Sequence, residues 1–224
     1  WGNAGEVTRE EGDIFNSPTG MFRGFENIGT DYGMIMAVLG GNDAGGGVHW
    51  APQVIKDAAE HGLILGENGV LYDSKKGETL PLDVHPMPVM TEEELSKRAE
   101  PTTADVLPNH IARYWDLMAL SDCQPAKVIG AEGLLKDKPG FEVDFLSRNS
   151  IADEMHSHDK PTVLMPMRGY WKLRLQDSET ILNPGDTCLI NPREVHAISP
   201  AMTGEASLYR VRNTADDAGP THVF

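Results

Sequence analysis

Cysteine is nearly missing from this chain, with only Cys123 and Cys188 among 224 residues. Two thiols so far apart make no disulfide framework, and a reducing cytoplasm is the default compartment. Long apolar runs are missing too. No stretch reaches the roughly eighteen residues a membrane-crossing helix needs, and no basic-then-apolar leader opens the chain. Positive charge is scarce: 19 Lys and Arg stand against 34 Asp and Glu, a formal net charge of −15. Such a chain repels phosphate backbones and anionic headgroups, which argues against nucleic acid or membrane as a partner. A small-molecule substrate is untouched by that argument, because it meets only the pocket. The Gly-rich stretch from Gly40 to Gly47 lacks the Gly-Lys-Ser/Thr ending of a phosphate cradle and reads as a flexible loop.

What is present is hydrophobic content of 40%, enough for one generous core or two small ones. The informative stretch runs from His156 to Pro200. In extended chain, residues i and i+2 share a face, so His156 and His158 can present both imidazoles on one side. Further on, Pro184-Gly185-Asp186 is a turn, Thr187 to Ile190 an apolar strand, and His196 follows Asn191-Pro192. If these strands share a barrel, three neutral imidazoles converge. Such a set suits a divalent first-row metal and leaves coordination positions open.

These residues carry a resemblance to the cupins, the small β-barrels of the germin and RmlC type. The first cupin motif sets a Gly, a His-x-His pair, a Glu and a second Gly at fixed spacing. His156, His158 and Gly169 fall in place, Thr162 stands where the Glu ligand belongs, and Ser150 replaces the first Gly. In the second motif Gly185 and His196 match and Pro192 covers the proline. Arg193 replaces the second Gly and Pro200 the closing Asn. A worn copy of that second motif lies near the start: Gly12, Pro18, Gly20 and Asn27 match, with Arg23 at the metal-binding His. A guanidinium stays protonated and cannot ligate a cation, so a barrel built on that copy is expected to be metal-free.

The resemblance implies an all-β bicupin of double-stranded β-helix (jelly-roll) barrels, with a partial front barrel and short linking helices. Residues 1–50 would be the rear part of a degenerate, metal-free barrel whose first motif lies upstream of Trp1. Residues 51–110 would be a linker with short helices, 111–213 the metal-binding barrel, and 214–224 a loose tail. Tyr32 to Leu39 reads as a buried strand of the front barrel. Pro52 to His61 reads as a helix stopped by Gly62, Glu67-Asn68-Gly69 as a hairpin turn, and Thr91 to Glu94 as a capping box. From Ala112 to Phe145 short apolar runs, Tyr114 to Met118 among them, read as strands, and Ala206 to Arg212 as a closing strand.

His156, His158 and His196 are the expected ligands, with no catalytic residue beyond the metal. Three-histidine cupins resemble the iron dioxygenases acting on gentisate, salicylate and β-diketones. The resemblance therefore implies Fe(II), with Mn, Ni or Zn as alternatives, a small chelating substrate, O2 as co-substrate, and a homodimer. Thr162, Leu164 and Pro166 share the inward face and are expected to line the substrate pocket. Arg210 and Arg212 share one strand face with Tyr209 on the other. They suit either a solvated edge or, for Arg210, an inward anchor for a substrate carboxylate. Two other functions stay open: a non-oxidative isomerase, lyase or hydrolase using the ion as Lewis acid, and a ligand-binding cupin without turnover.

Overall fold

The structure is a computed structural model that describes residues 1–2, 5–18, 20–39, 49–98, 100–136 and 140–214. In chain order the elements are β1 (Ile14–Phe15), α1 (Pro52–Glu60), β2 (Leu63–Leu65), β3 (Leu71–Asp73), α2 (Glu92–Ser96), α3 (Thr103–His110), β4 (Ile111–Ala112) and α4 (Tyr114–Leu120). Eight strands follow: β5 (Ala126–Ile129), β6 (Phe141–Ser147), β7 (Thr162–Arg168), β8 (Trp171–Leu175), β9 (Glu179–Leu182), β10 (Cys188–Ile190), β11 (His196–Pro200) and β12 (Ser207–Asn213). They fall into two compact units. Among the described residues one holds Trp1–Gly5 with Thr19–Pro101, the other Glu6–Pro18 with the chain from Thr102 to Thr214.

In the first unit, α1 opens with Pro at its first turn, where a missing N–H costs nothing, and the chain reverses at Gly62 with φ +81°. Strands β2 and β3 pair around Asn68-Gly69, and Thr91 and Glu94 close the expected capping box on α2. The buried strand expected at Tyr32 to Leu39 is not there. These residues form no strand, and Tyr32, Met34, Ile35 and Leu39 are all more than half exposed. A strand needs a neighbour to satisfy its backbone groups, and none of the described strands pairs with this segment. The expected loop at Gly40 to Gly47 and the tail beyond Thr214 lie outside the described residues.

The second unit is built on two larger antiparallel sheets, one ordered β10-β7-β12-β6-β5 and the other β11-β8-β9, beside the short β1-β4 pair. Leu146, Leu164 and Leu208 from the first sheet meet Trp171, Leu173 and Ile198 from the second, each no more than 1% exposed. Burying each such side chain stabilises the fold by about 1.5–3 kcal/mol. The outer face of the five-stranded sheet carries Val143, Phe145, Tyr209 and Val211, covered by Tyr114 and Leu117 of α4. Among the described residues the ladders do not close into a barrel. Near the histidines one isolated bridge, His156 to His196, takes the place of a continuous strand.

Two expectations change here. Tyr114 to Met118 is helix rather than strand: Tyr114 and Leu117, three residues apart, fall on one helical face and both are buried. The N-terminus of α4 has no local cap, and the distant Asp13 carboxylate accepts from the Tyr114 N–H and from Arg113, each at 2.8 Å. Strand β12 lies between β6 and β7 rather than at a margin, so its alternate residues face either the inner or the outer core. The linker also holds a helix the sequence reading passed over, α3, with a capping box between Thr102 and Asp105.

Candidate metal centre

The ligating atoms of His156, His158 and His196 lie within 4.8 Å of one another. The geometry comes from backbone rather than from long side chains. His156 and His196 exchange both backbone hydrogen bonds at 2.8 Å, which sets their rings 4.5 Å apart. His158 follows two residues on and points to the same side, as its spacing from His156 predicts.

Two similar turns aim the strands. Asn183-Pro184-Gly185-Asp186 and Asn191-Pro192-Arg193-Glu194 each close with a hydrogen bond from the fourth N–H to the first C=O. In each the acidic side chain accepts from the Asn backbone and side-chain nitrogens. The third position of such a turn needs positive φ. Gly185 supplies it at +88°, and Arg193 is held at +63°, the one described non-glycine residue with positive φ. What holds Arg193 is its N–H, which donates to the His158 carbonyl at 2.6 Å. Backbone strain at Arg193 thus ties His158 to the turn that delivers His196.

Two of the rings are held at Nδ1 by backbone carbonyls. His156 Nδ1 lies 2.9 Å from the Glu154 carbonyl, and His196 Nδ1 lies 2.9 Å from the Glu194 carbonyl. A proton on each Nδ1 leaves the Nε2 lone pair free for a cation. The carboxylates nearby in sequence serve through their backbone oxygens, not their side chains. Burial and the nearby Arg210 and His156 charges lower the His158 pKa to about 4. Burial also lowers that of His196, against an opposing hydrogen bond to Glu194. His158 Nε2 is buried and has no hydrogen-bond partner. A buried nitrogen without a partner is costly, and a cation shared with two further lone pairs would satisfy it. The residues present therefore fit a divalent metal of the kind imidazole prefers.

The inner face of the five-stranded sheet is charged where it approaches the histidines. Register puts Lys127, Asp144 and Arg210 side by side in one cross-strand row, and Glu142, Arg212 and Thr162 in the next. Asp144 is 1% exposed. Its Oδ2 accepts from Arg210 Nε at 3.1 Å and Nη2 at 2.7 Å and from Arg212 Nη2 at 3.0 Å, while Lys127 Nζ lies 2.9 Å from Oδ1. Burial pushes the Asp144 carboxyl up, but Arg210, Lys127 and Arg212 outweigh it and hold the pKa below the usual range. Arg210 and Arg212 thus face inward with side chains only 12% and 21% exposed, not onto a solvated edge.

Of the expected pocket residues, Thr162 is fully buried beside Arg212, and its hydroxyl donates to the Lys160 carbonyl at 3.4 Å. Leu164 is fully buried within the apolar core between the sheets, with Arg210 and Cys188 as its cross-strand neighbours. Lys127, Glu142 and Asp144 were not singled out from the sequence. The signal was there in Glu142-Val143-Asp144 and Arg210-Val211-Arg212, charges at i and i+2 that register then sets opposite one another.

Residues 144–214 match a family model described as the AraC-like ligand binding domain, a span from β6 to β12 that holds all three histidines and both arginines. That match supports the cupin resemblance over this part of the chain. No curated protein matches the chain. Similar solved structures include a cupin-2 domain containing protein from Shewanella frigidimarina, at 13% identity and TM-score 0.36, covering 46% of this chain and 93% of that one. A cupin superfamily protein from Desulfitobacterium hafniense is 16% identical, with TM-score 0.31, over 36% of this chain and 73% of that one. Hydroxypropylphosphonic acid epoxidase from S. wedmorenis is 20% identical, with TM-score 0.30, over 33% of this chain and 44% of that one. Among the described residues no helix is long and apolar enough to cross a membrane.

Proposed function

We propose that this chain is a metal-dependent cupin whose three histidines hold one divalent transition metal and act on a small chelating substrate, with an Fe(II) dioxygenase as the leading reading. The observation that carries it is the buried, unpartnered Nε2 of His158 beside two rings whose Nδ1 atoms are already engaged. Iron bound there would supply the redox chemistry that spends O2 on the substrate. The chain's own residues bind and orient. Backbone carbonyls of Glu154 and Glu194 engage the Nδ1 atoms of His156 and His196 and so aim the two rings. Thr162, lacking a carboxylate, leaves positions open for substrate oxygen. The apolar core under the site, Leu164 and Ile198 among it, keeps water from one side.

Elemental analysis of the purified protein tests this, alongside O2 uptake with aromatic acids and diketones. About one metal per chain, lost in His158→Gln, is expected. No transition metal after anaerobic iron loading refutes the reading. A second reading, ligand binding without turnover, draws on the match to a domain described by ligand binding. It predicts metal and ligand uptake with no O2 consumed by any candidate. Turnover that persists with zinc and without oxygen would favour a Lewis-acid reaction instead.

A further inference from the structure

We infer that the site takes its cation together with the carboxylate of an anionic small molecule, and that Arg212, not Arg210, makes the contact to that carboxylate. The inference rests on the metal reading above and narrows its ligand class from chelators in general to anionic ones.

Three observations lead there. First, the two arginines differ in what they have left to give. Arg210 turns both Nε and Nη2 onto Asp144 Oδ2. Arg212 spends only Nη2, at 3.2 Å from Glu142 and 3.0 Å from Asp144, and its Nε is buried without an acceptor. An N–H of a charged group left unsatisfied is costly, so an acceptor entering from outside is favoured there. Second, the ladder seats Arg212 directly beside Thr162. Thr162 is the position where the cupin pattern carries a carboxylate, so the acid missing from the chain is one that Arg212 would have faced.

Third, the charges do not balance. The inner face has three cations, Lys127, Arg210 and Arg212, against two carboxylates, Glu142 and Asp144. Three imidazoles bring no negative charge. The Glu194 carboxylate beside His196 offsets one of these charges, and a divalent ion entering here still leaves the site with a positive excess, in a chain whose net charge is strongly negative. A carboxylate with one oxygen toward the cation and the other toward Arg212 Nε relieves both the repulsion and the orphaned donor. Cation and anion then bind with positive coupling, and linkage makes the effect reciprocal. A neutral chelator can accept from the Arg212 N–H but does not relieve the repulsion, so its coupling to the cation is weaker.

The test is calorimetric titration of Co(II) into the metal-free full chain, in the presence of benzoate or of its neutral isostere benzamide. Benzoate should tighten Co(II) binding by about tenfold, the value of one charge-assisted hydrogen bond, and benzamide by much less. Arg212→Gln and Arg212→Lys, the latter keeping the charge but not the guanidinium Nε–H, should both lose the benzoate effect while still binding Co(II). Equal effects of benzoate and benzamide, or a benzoate effect that survives in Arg212→Lys, overturn the inference. If the wild-type chain takes up no Co(II), the metal reading falls, and the Arg212 contact is read from thermal melting with benzoate alone. Stabilisation by benzoate, much weaker with benzamide and absent in Arg212→Gln, then upholds the contact; no such stabilisation overturns it.

Discussion

Asp144 is the residue whose loss the second unit should tolerate least, and Asp144→Asn isolates its charge because the side-chain shape hardly changes. The carboxylate is almost fully buried and serves three cations at 2.7 to 3.1 Å. Removing one partner of a buried ion pair costs about 3–5 kcal/mol, because the other charge stays desolvated. The three cations are not equally stranded. Lys127 is 45% exposed and can turn to water, and Arg212 keeps Glu142. Arg210, 12% exposed with both of its hydrogen bonds on Asp144, loses its counter-charge and keeps only a neutral amide oxygen as acceptor. The expected loss is therefore near the lower end, about 3 kcal/mol, or roughly 6–12 °C in melting temperature for a chain of this size. Urea unfolding followed by near-ultraviolet circular dichroism measures it. Arg210→Met added to Asp144→Asn should recover part of the loss, since a buried pair replaced on both sides costs less than one broken. The Asp144 pKa is lowered, so its contribution is present above the unfolded carboxylate pKa and lost as pH falls through the folded one. The gap between wild type and Asp144→Asn should accordingly shrink in acid. A loss below about 1 kcal/mol at neutral pH, or a double variant no better than the single, would refute this account of the inner face.

Arg193 holds φ +63° at a turn position that glycine occupies in the matching turn at Gly185, so Arg193→Gly should stabilise the protein by roughly 0.5–1 kcal/mol in urea unfolding, and Arg193→Ala should not. The Arg193 pair with Asp159, both residues more than four-fifths exposed, is too solvated to reverse that sign. Because burial lowers the pKa of His158 to about 4 and also depresses that of His196, the metal-free protein should lose stability as pH falls from about 6.5 toward 4. Discounted for the partial solvation of the rings, the His158 share is roughly 1–2 kcal/mol. It is measured as the wild-type minus His158→Gln difference in urea unfolding across that range, and a flat difference contradicts the assignment.

The sequence by itself determined the local pieces whose signals lie within a few residues of one another. Pro52 and Gly62 bracket α1, Thr91 and Glu94 cap α2, Asn68-Gly69 turns a hairpin, and the His-x-His spacing sets two rings on one side. The two Asn-Pro turns before β10 and β11 belong to the same class, and their spacing made His196 legible as the third member of the cluster. Wherever the deciding partner was distant, the tertiary structure ruled. Tyr114 to Leu120 is a helix because Asp13 caps it and the outer face of the sheet accepts Tyr114 and Leu117, and nothing within that heptad announces either. Tyr32 to Leu39 has the apolar content of a strand, but among the described strands it finds no ladder to join. Arg210 and Arg212 could be assigned a shared face from sequence, but not which face. That followed from β12 lying between β6 and β7, where register sets Asp144 and Glu142 opposite them. Periodicity and turn chemistry are properties of neighbours along the chain; burial, charge pairing and the choice of inner or outer face depend on which strands become neighbours in space.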